Sequence, residues 1–169
     1  MSRHREPNQR ARTVRASLWF CAVLLWCAMI FSMSAQPAEV SSAESGRLTE
    51  TAVHFFFRGF DRLSPEEQEA LRFRMEVAIR KSAHMAEYAV LAVLLVLWLG
   101  EAFPQTAVRR RGWISWGLAA AYAATDELHQ VFVPGRSGEP RDIAIDAAGA
   151  ALGLLVFALF AGIFRRLRK

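Results

Sequence analysis

Four long apolar runs, separated by strongly charged segments, constrain this chain more than any other feature. As a helix, an apolar run of about 18–20 residues spans the ~30 Å hydrocarbon core of a bilayer. Residues 18–35, LWFCAVLLWCAMIFSMSA, carry no charge and reach that length. Further runs cover about 83–100, 113–133 and 142–164. The pattern predicts an all-α, polytopic membrane protein, a four-helix transmembrane bundle with an extracytoplasmic helical loop. Basic cytoplasmic tails at 1–17 and 165–169 flank the membrane domain. The first run also fits a secretory signal cut after Ala35. Met33 at the −3 position is a poor match to the small-x-small rule, which favours an uncleaved span.

Orientation follows from basic residues near the span ends. Twelve lysines and arginines lie in the N-terminal tail, the 101–112 loop and the C-terminal tail, with only Glu6 and Glu101 as acids. The other side has nine, mixed with at least as many acids. Both termini are therefore expected in the cytoplasm, with the 37–82 and 134–141 loops outside. The same distribution disposes of nucleic acid as a partner. The net charge of +5 comes from residues that flank apolar runs, where they set topology and meet anionic lipid. Cys21 and Cys27 sit about 9 Å apart along one helix and on different faces, so they cannot pair with each other.

The long loop holds seven basic and eight acidic residues. Ser64-Pro65-Glu66-Glu67 carries an N-cap, a proline at the first helical position and a glutamate at the third. The helix it starts is expected to run through Leu71, Met75 and Ile79 into the second span. Ahead of it, TETAVHFFFRGF reads as a short amphipathic helix. It serves either as a membrane-surface anchor through Phe55, Phe56, Phe57 and Phe60 or as a soluble cap on the bundle.

Charged groups inside spans are costly, about 2.5–3.5 kcal/mol each at a helix centre. This chain places several at one depth. His84, Glu87 and Tyr88 end the second span. Asp126, Glu127, His129 and Gln130 end the third, and Asp142 and Asp146 begin the fourth. Helical spacing groups His84 with Glu87 and Tyr88, Asp126 with His129 and Gln130, and Asp142 with Asp146. The expectation is one polar pocket open to the outer face, with Arg136 and Arg141 on its rim. Mutual hydrogen bonding between helices is the bland alternative.

As a site, the cluster has a concrete chemistry. Asp142 and Asp146, with Asp126 or Glu127, offer oxygens to Mg²⁺ or Mn²⁺. Lys81, Arg136 and Arg141 suit phosphate, with Tyr88 and Gln130 as further substrate contacts. His84, Glu87, Asp126, Glu127 and His129 are the candidate acid–base groups. The partner class is the lipid bilayer, with an envelope lipid or lipid-linked precursor as ligand. The sequence has no phosphate-cradling glycine loop, no His-Glu-x-x-His motif and no convincing serine or cysteine nucleophile with a neighbouring base. A small proton-coupled transporter is a further reading, weaker because the charges gather at one face. Gly149 and Gly153 form Gly-x-x-x-Gly, expected to serve packing within the bundle rather than dimerisation.

Three stretches carry a family resemblance: IRKSAHMAEYAVLAVLL, YAATDELHQVFVPGRSGEPRDIAIDAAGAALG and, more weakly, LLWCAMIFSMSAQP. Together they resemble the VanZ-like family of bacterial membrane proteins. Its pattern falls on Lys81, His84, Glu87, Tyr88, Asp126, Glu127, His129, Gln130, Pro134, Gly135, Arg136, Asp142, Asp146 and Gly149. The resemblance implies a multi-pass protein of the bacterial cytoplasmic membrane acting at the cell envelope. Through the founding member it implies a link to teicoplanin resistance, but no settled reaction. A non-catalytic envelope protein with a structural polar cluster is the alternative.

Overall fold

A computed structural model describes residues 6–167 of the chain. Arg3, Arg5, Arg168 and Lys169, part of the expected basic tails, lie outside them. The described residues form five α-helices and no strand: α1 (Glu6–Ser34), α2 (Ala38–Phe56), α3 (Pro65–Ala102), α4 (Val108–Gln130) and α5 (Pro140–Leu167). Three of these, α1, α3 and α5, are long and apolar enough to cross a membrane. The fourth run falls short of that standard. Its helix, α4, ends in Asp126, Glu127 and His129 and begins with three arginines, so its apolar stretch is brief.

Boundaries differ from expectation where charged residues are also good helix formers. α1 begins at Glu6 and takes in most of the expected N-terminal tail, because QRARTVRAS contains no breaker. The 37–82 loop is itself almost wholly helical. TETAVHFFFRGF is not a separate helix. It is the end of the 19-residue α2, a turn and a 3-10 turn at Phe60–Arg62. α3 starts as the sequence predicts. Ser64 Oγ accepts from the Glu67 amide, the Ser64 amide donates to Glu67 Oε2, and Pro65 occupies the first turn. That backbone hydrogen bond holds the Glu67 carboxyl below the ordinary glutamate range.

At 38 residues, α3 is about 57 Å long, against a ~30 Å hydrocarbon core. Roughly 27 Å of it therefore extends past a bilayer, and α2 packs antiparallel along this excess. Ser45 meets Glu76, and Arg72 holds Glu50 through two hydrogen bonds of 2.9 and 3.2 Å. These bonds keep the Glu50 carboxyl below its usual range. The Arg72 guanidinium also lies 4.7 Å over the Phe60 ring. Phe60 is buried, whereas Phe55 and Phe56 are exposed at the far end of this pair.

α3 is the hub, packing against every other helix, while α4 packs on α3 and α5. The core is built of Tyr88, Leu91, Ala92 and Leu95 from α3, with Ile30, Ala119, Ala123 and Ala150 from its neighbours. Small residues let the backbones approach. A Cβ on Gly153 would lie 2.5 Å from the Ala89 carbonyl oxygen, and one on Gly149 would overlap the Met85 backbone. The Gly-x-x-x-Gly pair thus serves the α3–α5 contact within the chain. Outward faces are apolar: Leu24, Leu25, Leu155, Leu159 and Phe160 are all more than half exposed, a surface suited to lipid and hazardous in water. Cys21 and Cys27 are free.

Candidate functional site

Four elements bring polar residues together at one end of the apolar helices. α1 ends in Ser34. α3 passes through Arg80, Lys81, His84, Glu87 and Tyr88. α4 finishes with Asp126, Glu127 and Gln130, and α5 opens with Asp142 and Asp146. The 131–139 loop closes over them. Its turn needs Gly135 in the left-handed region, at φ 74°. Its return needs Gly138, where a Cβ would sit 2.5 Å from the Glu127 carbonyl oxygen. Gly135→Ala is expected to destabilise the protein by about 1–2 kcal/mol, the cost of a left-handed non-glycine residue. Thermal unfolding in detergent checks this.

The polar groups fall into two layers. The outer layer lines a cavity of about 100 Å³. Arg80, Lys81 and His84 face it from α3, Glu127 and Gln130 from α4, Asp142 and Asp146 from α5, and Arg136 and Glu139 from the loop. Lys81 Nζ is bonded to Asp142 Oδ1. Glu127 Oε2 accepts from the Glu139 amide at 2.9 Å, tying the loop to α4. Arg80 is exposed and has no hydrogen bond or ion pair among the described residues. Burial first, and then the nearby Arg80 guanidinium, pull the Arg136 guanidinium below its ordinary value, against the opposing pull of Asp126 and Glu127.

The inner layer is a chain of hydrogen bonds. Ser34 Oγ donates to Asp126 Oδ2 at 2.7 Å, and Gln130 Nε2 donates to the same oxygen at 3.3 Å. Arg136 Nη1 donates to Gln130 Oε1 at 3.4 Å. Arg136 Nε then donates to the Gln36 carbonyl at 3.0 Å and Nη2 to that of Met33 at 3.4 Å. Arg136 therefore satisfies carbonyls at the C-terminal end of α1, the groups a helix end leaves unpaired. The Tyr88 hydroxyl and Asp126 Oδ1 are buried without a partner. Glu87 stays beside His84, at 3.8 Å, and does not reach the cavity.

Several expected residues lie elsewhere. His129 stacks on Phe31 of α1, ring centroids 4.4 Å apart, and does not line the cavity. The reason is the 100° turn per residue. Asp126 and His129 form one edge of α4, toward α1, while Glu127 and Gln130 form the next edge, toward the cavity. Arg141 is exposed and is not among the residues that line the cavity. The oxygen set expected around Mg²⁺ or Mn²⁺ is not assembled. Asp142 is engaged by Lys81, and among the described residues no three His, Cys, Asp or Glu side chains are grouped to hold a metal ion. Conversely, sequence reasoning passed over Arg80, Ser34 and Gln36. Arg80 stands one turn before His84, and that spacing was its signal. Ser34 and Gln36 act through a contact with α4 and the loop that no local pattern encodes.

No curated protein and no solved structure matches this chain. A family model does, VanZ/LLP1, over residues 19–161, from the middle of α1 to near the end of α5. The matched stretch contains every residue of both polar layers, and by that match over most of its length the chain belongs to the VanZ/LLP1 family.

Proposed function

We propose that this protein is a four-span envelope protein of the bacterial cytoplasmic membrane, both termini cytoplasmic. In this reading its outer-face cavity binds the phosphate of an envelope lipid or lipid-linked precursor. Though short of apolar length, α4 completes the bundle, because its acids face α1 and the cavity instead of lipid. The observation that carries the reading is the cavity wall of Arg80, Lys81, His84 and Arg136 at the end of apolar helices. At about 100 Å³ the cavity is small, a size suited to one phosphate-sized group. Arg80 is the group left to meet the anion, since Arg136 is spent on α1 and Lys81 on Asp142. Glu127, Glu139, Asp142 and Asp146 also line the cavity, so the anion is placed at the Arg80 side of it. Any part in teicoplanin resistance, as the family resemblance implies, would run through this lipid contact.

The test uses water-soluble probes, inorganic phosphate and glycerol phosphate, with detergent-purified protein. Saturating phosphate is expected to raise the melting temperature, since 100 Kd of ligand adds about 2.7 kcal/mol. Arg80→Gln should leave the unliganded melting temperature unchanged and abolish the increase. An equal increase with chloride at matched ionic strength, or an undiminished one in Arg80→Gln, would reject the site.

A second reading has its own observation. The Ser34–Asp126–Gln130–Arg136 chain fastens α1, α4 and the loop together, so the inner layer is structural glue whatever the cavity binds. In this division His84 and Glu127 are the only acid–base candidates that line the cavity.

A further inference from the structure

A second cavity opens on a different face of the bundle, along α4 and α5, and runs from beside the first turns of α5 to the arginine end of α4. It is an apolar groove of about 990 Å³. Its floor is Ala147, Ala148 and Ala151 of α5, and its wall is Trp113 and Trp116 of α4. The wall is fixed in place. The Trp116 indole N–H donates to the Ala147 carbonyl at 2.9 Å, and Trp113 packs edge-on against Trp116 with centroids 5.9 Å apart. From Ala144 to Ala158 the groove follows α5 for about 21 Å, more than the ~15 Å depth of one leaflet. One end alone is polar, where Arg109 lines it and Arg110 stands alongside. The same turn starts α4, with no side-chain cap and no acid to answer its amides.

We infer that this groove holds one acyl chain of an anionic phospholipid, its phosphate on Arg109 and Arg110 and its chain along the α5 alanines. Basic pockets between membrane helices, at the level where tryptophan marks the interface, are a known way to hold anionic lipid. Charge separates this occupant from a second copy of the chain. A two-fold partner seated on the same groove would bring its own arginines against these, and like charges would oppose the contact. An anionic headgroup answers them. This lipid belongs to the arginine end of the bundle, opposite the phosphate cavity, and the inference stands or falls independently of that cavity.

The experiment is native mass spectrometry of the full chain in a zwitterionic detergent, with phosphatidylglycerol or phosphatidylcholine of matched chains added. One phosphatidylglycerol should remain bound, preferred over phosphatidylcholine by about fivefold for each arginine engaged. Arg109→Gln should lower that preference by about fivefold while a lipid is still retained. Ala148→Leu with Ala151→Leu should fill the groove and remove the bound lipid. Both alanines are exposed, so melting temperature and the response to inorganic phosphate should stay at wild-type values. Equal retention of the two lipids overturns the inference, as does a preference undisturbed by both variants. So does a dimer that the alanine-to-leucine pair abolishes.

Discussion

Gly149→Val is expected to be the most damaging single substitution in this chain. An added Cβ would meet the Met85 backbone of α3, with its Cα at 2.7 Å, and three of the nearest atoms are all main chain. No rotamer change relieves such a clash. The helices must separate along the most extensive contact in the molecule, and Ala150, Leu91 and Ala92 lose their packing with them. Overpacking ordinarily costs about 1–3 kcal/mol and more where nothing yields, so a loss above ~3 kcal/mol is the expectation. Gly153→Val should behave alike, since its Cβ would strike the Ala89 backbone. Gly162→Ala is the control. Nothing lies within 4 Å of its Cβ position, and alanine favours a helix by about 1 kcal/mol over glycine. Unfolding in detergent, followed by circular dichroism, reads all three. Should Gly149→Val melt like wild type but change the oligomeric state, the glycine pair would be an intermolecular surface after all.

That contact shows how far the sequence could be read. Gly149 and Gly153 were recognisable because a four-residue interval puts both on one helix face. Their partners, Met85 and Ala89, have the same interval and no distinguishing chemistry. Ser64, Pro65 and Glu67 announced the start of α3 because capping is local, and the long run through Leu71, Met75 and Ile79 followed from it. By contrast, α2 was read too short, because ESGRLTE interrupts its apolar pattern and it is held by Glu50–Arg72 and Glu76 across a turn. The level at which the apolar runs stop was legible, and of the residues it grouped, His84, Glu127, Gln130, Asp142 and Asp146 line one cavity. Rotation about each helix axis was not. A period of 3.6 tells which residues share a face but not which neighbour that face meets, and so His129 was assigned to a cavity when it packs on Phe31. Arg136 illustrates the same limit from the other direction. Its charge suggested a ligand, while its geometry assigns it to the carbonyls of Met33 and Gln36.

Asp126→Leu should rank next in effect, and it separates glue from site. Asp126 is 3% exposed and receives the Ser34 hydroxyl and the Gln130 amide on one oxygen. Leucine has the same branched outline with bulkier methyl groups, and it leaves both donors buried without an acceptor, a loss of about 1–3 kcal/mol for each stranded group. Polar contacts between membrane helices average below that, about 0.6 kcal/mol, because partners are also found in the unfolded chain, so the lower end of the range applies to each. A total of about 2 kcal/mol is expected, with the end of α1 loosened from α4. Asp126→Asn keeps a carbonyl oxygen for Ser34 and should fall within about 1 kcal/mol of wild type. Because Asp126 does not line the cavity, the melting shift with inorganic phosphate should survive in the asparagine variant. If instead Asp126→Asn melts normally and no longer responds to phosphate, the inner layer is part of the binding machinery. The unpartnered Asp126 Oδ1 and Tyr88 hydroxyl would then be the groups to examine next, since both are buried with hydrogen-bonding capacity to spare.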